Sequence, residues 1–96
     1  MSYKDGYHPK IKSDLKKLDA GAAKEIKNVH LDRILSNPRA SDRLHGDLEG
    51  IWSYHFKKSN VEYRIAYSIE ESKKVICVLM IGKRENFYEI LRRRLL

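Results

Sequence analysis

The apolar residues change their spacing near the middle of the chain, and this change limits the folds that the sequence can adopt. In "PKIKSDLKKLD" and "AAKEIKNVHLDRILSNP" they recur every three or four residues, as on one side of a helix. Ala20 and Gly21 separate the two segments, and Pro38 ends the second because the residue before proline avoids helical angles. The first half is therefore predicted to be a helical hairpin.

The second half alternates between apolar and polar residues, which is typical of half-buried strands. In "IWSYHFK" the three aromatic residues share one side, and in "VEYRIAYSI" the odd-numbered residues from 61 to 69 share one side. A polar loop, "KKSN", joins these two strands. Residues 75–81 are apolar on both sides, as expected of an interior strand. Residues 2–7 are a weaker candidate for a further strand.

These elements predict one α+β domain over residues 1–96. The helical hairpin packs on one face of a small, mainly antiparallel sheet, because both elements have an apolar side that needs a partner. The predicted order is β-α-α-β-β-β, followed by a short C-terminal helix. Residues 39–50 are polar and contain glycine, so they are predicted to be a connection.

Charge and cysteine content restrict the function classes. Twenty Lys and Arg residues against thirteen Asp and Glu residues give a net charge of +7, which favours a polyanionic partner such as nucleic acid or an acidic protein. The single cysteine, Cys77, excludes an intrachain disulfide and suits a reducing cytoplasm. The sequence contains neither a membrane-spanning stretch nor a signal peptide, so a cytoplasmic protein is predicted.

Polar side chains of the two alternating strands are predicted to lie on the sheet face away from the helices. If the apolar sides of the strands coincide, Phe56 lies opposite either Val61 or Tyr63. In both registers the polar face carries three ionisable side chains, namely His55, Lys57 and Arg64. The pattern equally allows a solvated face on which Lys57 pairs with Glu62 across the strands.

The third strand ends in a basic and aromatic segment, "GKRENFY". Tyr88 follows Arg84 by four residues, so a helical turn brings its ring near the guanidinium group. A ring beside Arg84 and Lys83 suits an unstacked base held next to its phosphate, although Tyr88 could instead be a rim residue of the core. The residues predicted to anchor the C-terminal helix are Phe87, Ile90, Leu91 and Leu95.

The remaining ionisable residues are interpreted as structural or solvent-exposed. Arginines 92–94 point in different directions around a helix, so they contribute positive field rather than one shared site. His30 is interpreted as a helix-surface or boundary residue. His8, His30 and His45 lack the spacing of metal ligands, so the sequence predicts no metal or cofactor site.

Three motifs, "LHGDLEGIW", "YRIAY" and "GKRE" with a tyrosine soon after, resemble the RelE/ParE superfamily of bacterial and archaeal toxins. They occur in the order of that family, and the resemblance covers nearly the whole chain. It implies a RelE-like fold and a type II toxin that is neutralised by a cognate antitoxin. It also implies a ribosome-dependent mRNA endoribonuclease that acts in the ribosomal A site without a metal.

In RelE-type toxins the ribonucleotide 2′-hydroxyl attacks the adjacent phosphate. The resemblance implies that Arg64 stabilises that phosphate, that Arg84 stabilises the transition state or leaving group, and that Tyr88 stacks on the mRNA base. The first long strand departs from the pattern, with Ser53 and His55 where RelE has lysines. His55 is a candidate general base because an imidazole pKa of about 6.5 suits proton transfer near neutrality.

Lysines around these residues are expected to contact phosphate, namely Lys57, Lys58 and Lys83. Whether the general base is His55 or a lysine stays open at this point. The resemblance also implies that an acidic, partly disordered antitoxin segment wraps the toxin, that DNA is contacted only through the antitoxin, and that no membrane is involved. Two alternatives remain, a ParE-type DNA gyrase inhibitor, which lacks the arginine–tyrosine site, and a non-catalytic basic RNA- or protein-binding module.

Overall fold

The computed structural model describes residues 3–96, and its centre is one mixed sheet of five strands. The strands are β1 (Lys4–Tyr7), β2 (Asp42–Arg43), β3 (Ile51–Lys58), β4 (Val61–Glu70) and β5 (Val75–Lys83). Their order across the sheet is β1-β5-β4-β3-β2, with β1 parallel to β5 and the other pairs antiparallel. The weak N-terminal strand prediction is confirmed for residues 4–7, and Ser2 lies outside the described residues.

The predicted break at Ala20 and Gly21 is wrong, because both residues lie in the second helix. The helical first half nevertheless has the predicted hairpin form. Its helices are α1 (Ile11–Lys16), α2 (Ala20–Glu25) and α3 (Leu31–Ser36), and a π-helical turn, Ile26–His30, joins α2 to α3 without a break. Asp19 caps α2 by accepting a hydrogen bond from the Ala22 amide (3.2 Å), and α3 ends at Ser36, before Asn37 and a short 3₁₀ turn at Pro38–Ala40. None of the helices within residues 3–96 is both long and apolar enough to cross a membrane.

The helical hairpin covers one face of the sheet, called here the hairpin face. This face carries the side chains that alternation predicted, with Ile65 and Tyr67 of β4 fully buried. Ile26 and Ile34 pack against them from the helices. Burial of several such side chains supplies the main stabilisation, because each contributes about 1.5–3 kcal/mol relative to exposure.

The opposite, or distal, face of the sheet holds the even-numbered residues of β4 and is partly covered by α4 (Phe87–Leu95). Phe87 and Leu91 are buried there against Ala66 and Met80, as the helical spacing predicted. The prediction was wrong for Ile90 and Leu95, which remain 42% and 41% exposed.

Arg94 takes the third position of the buried stripe of α4. Each residue of an α-helix turns about 100° from the one before it. Leu91 and Arg94 therefore lie within about 40° of the direction of Phe87, whereas Ile90 and Leu95 lie on the flanks of this stripe. The Arg94 guanidinium donates to both carboxylate oxygens of Asp14, at 2.7 and 2.8 Å, and to the Leu79 carbonyl at 3.0 Å. The interpretation of all three terminal arginines as surface charges is therefore wrong for Arg94.

The β3–β4 hairpin has one of the two predicted registers, with Phe56 opposite Tyr63. Both strands are longer than predicted, and only Ser59 and Asn60 remain in the loop, with φ values of 52° and 66°. Two consecutive positive φ values match the tight turn that fits the twist of a hairpin. The register therefore fixes which side chains of β3 and β4 lie beside each other.

The segment predicted as a featureless connection contains a short edge strand. β2 pairs with β3 so that Asp42 lies opposite Ser53 and Arg43 opposite Trp52. Two residues are too short for a periodicity signal, so no alternation could reveal this strand. The pairing of β2 with β3 places the Asp42 carboxylate near the His55 side chain.

Candidate functional site

Strand register brings the central predicted residues together on the distal face. His55 of β3 lies directly opposite Arg64 of β4, and Arg64 lies opposite Gly82 of β5. The Phe87 ring of α4 packs beside Gly82, at ordinary contact distance from where a Cβ atom would lie. The cluster of Ser53, His55, Glu62, Arg64 and Tyr88 is called here the distal-face site.

The Arg64 side chain is held on two sides and is only 15% exposed. Its Nε atom donates to Oε2 of Glu62 at 3.0 Å, and its Nη2 atom lies 3.0 Å from the same oxygen. Its guanidinium carbon also lies 5.0 Å from the centre of the Tyr88 ring, within cation–π range. A guanidinium group fixed in this way needs little reorganisation to meet a developing negative charge.

Tyr88 and His55 are connected through Ser53. The Tyr88 hydroxyl donates to Ser53 Oγ at 3.1 Å, and Ser53 Oγ lies 3.1 Å from His55 Nε2. Because the tyrosine hydroxyl supplies the proton of the Tyr88–Ser53 hydrogen bond, the serine hydroxyl is free to donate its own proton to Nε2 of a neutral His55 imidazole. The imidazole proton then lies on Nδ1, which faces Glu62 Oε2 at 3.7 Å.

Glu62 is the negative charge of the site. The Arg64 hydrogen bond, the foremost cause, holds the pKa of the Glu62 carboxyl below its usual value. Desolvation opposes this effect, and the charges of Arg64, His55 and Arg84 lower the pKa further. Glu62 is therefore a carboxylate near neutral pH and a weak proton acceptor.

Arg84, Lys57 and Lys83 lie at the edge of the site. Their side chains line an open cleft of about 340 Å³ together with Glu62 and Glu85. The Arg84 amide donates to the Glu62 carbonyl at 3.0 Å, which fixes the start of this loop to β4. The structure thus gathers these cations beside the distal-face site, with their side chains exposed.

Lys58 does not belong to this group. Alternation places it on the hairpin face of β3, where its Nζ atom lies 3.4 Å from Oε1 of Glu25. The expectation that Lys58 lies near the site and contacts phosphate is therefore wrong. Lys57 and Lys58 are neighbours in the sequence, but neighbouring strand residues point to opposite faces.

His30 is buried, so its interpretation as a surface or boundary residue is wrong. Its ring is 4% exposed and stacks on Phe56 at 3.8 Å between ring centres. Nε2 lies 2.7 Å from Glu25 Oε2, and Nδ1 lies 2.7 Å from the Tyr54 hydroxyl. This cluster lies on the hairpin face and connects the helices to β3, away from the distal-face site.

Sequence reasoning assigns no roles to Glu62, Ser53 or Asp42. The sequence pattern offers Glu62 only as a partner of Lys57, whereas in the structure it pairs with Arg64 on its own strand. Strand alternation could have indicated this pair, because residues two apart share a face. Asp42 Oδ2 lies 3.8 Å from His55 Nε2, a contact that depends on the unpredicted strand β2.

The distal-face site combines a fixed cation, an imidazole and an aromatic ring. Such a set can neutralise a phosphate oxygen, exchange a proton near neutral pH and contact an unstacked base. Among residues 3–96, no three His, Cys, Asp or Glu side chains are grouped so that they could hold a metal ion.

The sequence model of the family described as the ParE-like toxin of type II bacterial toxin–antitoxin systems matches residues 7–92. The chain belongs to this family. The resemblance to the RelE/ParE superfamily is therefore confirmed, and the protein is a toxin of a type II toxin–antitoxin system. A comparison with curated protein sequences gave no significant match.

Solved structures of toxins share the fold. An arginine-to-alanine variant of Escherichia coli RelE in the free state aligns with a TM-score of 0.77, 25% identity and complete coverage of both chains. A chain of the Mycobacterium tuberculosis RelBE2 toxin–antitoxin complex aligns with a TM-score of 0.77 and 20% identity, covering 88% of this toxin and 100% of that chain.

A third structure, the archaeal RelE–RelB complex from Pyrococcus horikoshii, aligns with a TM-score of 0.64 and 21% identity, covering 88% of this toxin and 98% of that chain. The two complexes, both below 25% identity, support the fold alone. The predicted α+β architecture, with a helical hairpin on a mainly antiparallel sheet, is confirmed.

Proposed function

We propose that this toxin is a ribosome-dependent mRNA endoribonuclease that cleaves by attack of a 2′-hydroxyl on the adjacent phosphate. The arrangement of Arg64 between Tyr88 and Glu62, directly opposite His55, carries this proposal. It supplies a phosphate ligand, a base-stacking ring and a proton acceptor on one face. The RelE likeness supports the same activity.

In the proposed reaction the bond between the 2′-oxygen and phosphorus forms while the bond between phosphorus and the 5′-oxygen breaks. His55 accepts the proton of the 2′-hydroxyl, and the departing 5′-oxygen takes up a proton from a group on the Arg84 side or from water. The products are a 2′,3′-cyclic phosphate and a 5′-hydroxyl end. Arg64 and Arg84 stabilise the charge that develops on the phosphate oxygens.

The ribosome supplies the positioning that the toxin lacks. The distal-face site lies on the inner strands β3 and β4 of the sheet, and the cleft next to it is open and lined mainly by charged side chains. An isolated RNA strand would be held there in many orientations. Binding of mRNA in the A site restricts those orientations and lowers the barrier, because fixed geometry replaces a large entropic cost.

The proposed inhibitory partner is an acidic, partly disordered segment of a cognate antitoxin. The toxin carries a net charge of +7, which attracts such a segment. The M. tuberculosis and P. horikoshii structures contain a toxin with its antitoxin. Binding of the segment over the distal face would block mRNA, and any contact with DNA would be made through the antitoxin.

A translation extract with a defined mRNA tests the proposal. Purified toxin is added, and the 5′ ends of the cleaved mRNA are mapped relative to the ribosomal A site. Cuts at A-site codons that require ribosomes would support the proposed function. Intact mRNA with accumulation of gyrase–DNA breaks would instead indicate a ParE-type inhibitor. If the toxin caused neither mRNA cleavage nor gyrase–DNA breaks, a non-catalytic binding module would be the remaining function.

Arg84→Ala is expected to slow A-site cleavage by between about tenfold and a hundredfold, since it removes a charge-stabilising donor from an exposed position. Single-turnover rates on stalled ribosomes measure the effect. Lys4→Ala removes a charge from an exposed residue of β1 and should leave the rate within about twofold. Equal rates for Arg84→Ala and the wild-type toxin would exclude Arg84 from the reaction.

His55→Ala is expected to lower single-turnover cleavage at least about tenfold, because the general base is lost. A variant that retains the wild-type rate would leave a lysine as the candidate base.

A further inference from the structure

In the distal-face site, the guanidinium group of Arg64 is already bound by a carboxylate of the toxin itself. On one edge of the Arg64 guanidinium, Nε donates to Oε2 of Glu62, and Nη2 lies 3.0 Å from the same oxygen. Nδ1 of His55 lies 3.7 Å from the same oxygen. Three donors that could contact one phosphate oxygen therefore converge on a carboxylate oxygen of the toxin itself.

We propose that Glu62 is an internal competitor for phosphate, whose carboxylate occupies the position of a phosphate oxygen until a ligand displaces it. The inference deepens the proposed function and rests on it, in that the natural ligand is taken to be a phosphodiester. Parallel N–H groups of arginine bind carboxylate and phosphate in the same way, so the two anions compete for the same edge.

Local geometry makes this competition unavoidable. Glu62 and Arg64 are two residues apart on β4 and thus point to the same face. The Glu62 side chain is 22% exposed, so it can turn toward solvent without breaking the core. Arg64 is less free to move, because the Tyr88 ring covers its guanidinium group and Tyr88 is in turn held by Ser53.

The consequence is a toxin whose free site is electrically self-neutralised. A polyanion gains the Arg64 contact only by displacing Glu62, so weakly held anions are rejected more strongly than an mRNA phosphate that the ribosome positions. Glu62 thereby sets selectivity, while the arginine remains correctly placed in the free protein. Lys57, its neighbour across the strands, is exposed and makes no ion pair within residues 3–96.

Titration with inorganic phosphate tests the inference without any RNA. The Nε resonance of Arg64 and the imidazole resonances of His55 are followed by NMR in the wild-type toxin and in Glu62→Gln. Glutamine keeps the shape of the side chain and removes its charge. We expect the Glu62→Gln toxin to bind phosphate about fivefold more tightly, or better, with shifts at Arg64 Nε.

Glu85→Gln is the matched control. Glu85 lines the neighbouring cleft and makes no ion pair within the described part of the chain, so its removal changes the local field without freeing Arg64. This variant should change phosphate affinity by less than about twofold. If both variants gained phosphate affinity equally, the gain would come from the lower negative charge of the protein and not from freeing Arg64, and the inference would be overturned.

Two other results would also overturn it. Weaker phosphate binding by Glu62→Gln would mean that Glu62 positions Arg64 for the ligand and does not compete with it. Absence of phosphate binding at Arg64 in every variant would mean that the edge is not an anion site. Because the titration needs no cleavage, these outcomes are separate from a failure of the proposed mRNA cleavage, which the translation extract would reveal.

Discussion

The Arg64→Ala toxin should cleave ribosome-bound mRNA about 10²- to 10³-fold more slowly than the wild-type toxin, the loss typical of removing one preorganised donor from a developing oxyanion. The size of this effect follows from the position of Arg64. Its guanidinium group is only 15% exposed and lies against the Tyr88 ring, so water cannot replace it in the same geometry. Single-turnover cleavage on stalled ribosomes measures the rate.

A matched control separates geometry from charge. Arg93→Ala also lowers the net charge by one, but the Arg93 side chain is 73% exposed and pairs with Glu89 at 3.3 Å. We expect this variant to cleave within about twofold of the wild-type rate, since exposed charges are screened over about 8–10 Å. A similar loss in both variants would mean that the toxin needs positive field and not a fixed arginine.

Arg64→Ala must also be shown to fold. The variant leaves the Glu62 carboxylate without its partner, but that side chain is 22% exposed and can be solvated. The far-UV circular dichroism spectrum and the unfolding midpoint should therefore stay close to those of the wild-type toxin. A large fall in the unfolding midpoint would mean that the variant loses cleavage because it unfolds. Arg64→Lys, which keeps the charge, would then be the informative variant.

The part of the site on the strands could be predicted because alternation is a local property. His55 and Arg64 were predicted to share the face away from the helices, and the register places them opposite each other. The same rule, applied strictly, would have excluded Lys58 from that face and indicated the Glu62–Arg64 pair. The Lys58 error came from treating proximity in sequence as proximity in space, whereas the Glu62–Arg64 pair was missed because Glu62 was assigned only to Lys57 on the facing strand.

The burial of His30 could have been predicted from regular helix geometry. Ala22, Ile26, His30 and Ile34 are all buried and recur every four residues. In an α-helix, steps of four drift by about 40° each, so His30 lies between Ile26 and Ile34 on the covered side. The wider π-helical turn at Ile26–His30 offsets the drift, while Val29 is 36% exposed.

The Asp14–Arg94 ion pair, by contrast, lay beyond local sequence patterns. Its partners are separated by 80 residues, and each looks like an ordinary surface charge in its own helix. In the fold, the two side chains are only 6% and 8% exposed. The pair joins α1 to α4 and, through the Ile81 amide, which donates to Asp14 Oδ2 at 3.0 Å, joins both helices to β5.

Asp14→Ala should therefore lower the free energy of unfolding by about 3–5 kcal/mol, because it leaves the Arg94 charge buried without a partner. The change also removes the acceptor of the Ile81 amide, a buried backbone donor. Urea unfolding followed by circular dichroism measures the difference. A loss of this size is a large fraction of the stability of a small domain, so cooperative unfolding should begin at much lower urea concentration.

Asp47→Ala provides the comparison, since Asp47 pairs with Arg92 at 2.9 Å while the two side chains are 65% and 49% exposed. Its cost should stay below about 1 kcal/mol. The double variant Asp14→Leu with Arg94→Met should be more stable than Asp14→Ala alone, because no buried charge remains, though the Ile81 amide still lacks its acceptor. If Asp14→Ala cost no more than Asp47→Ala, the Asp14–Arg94 ion pair would not fix the helix that carries Tyr88, and α4 would be held mainly by the burial of Phe87 and Leu91.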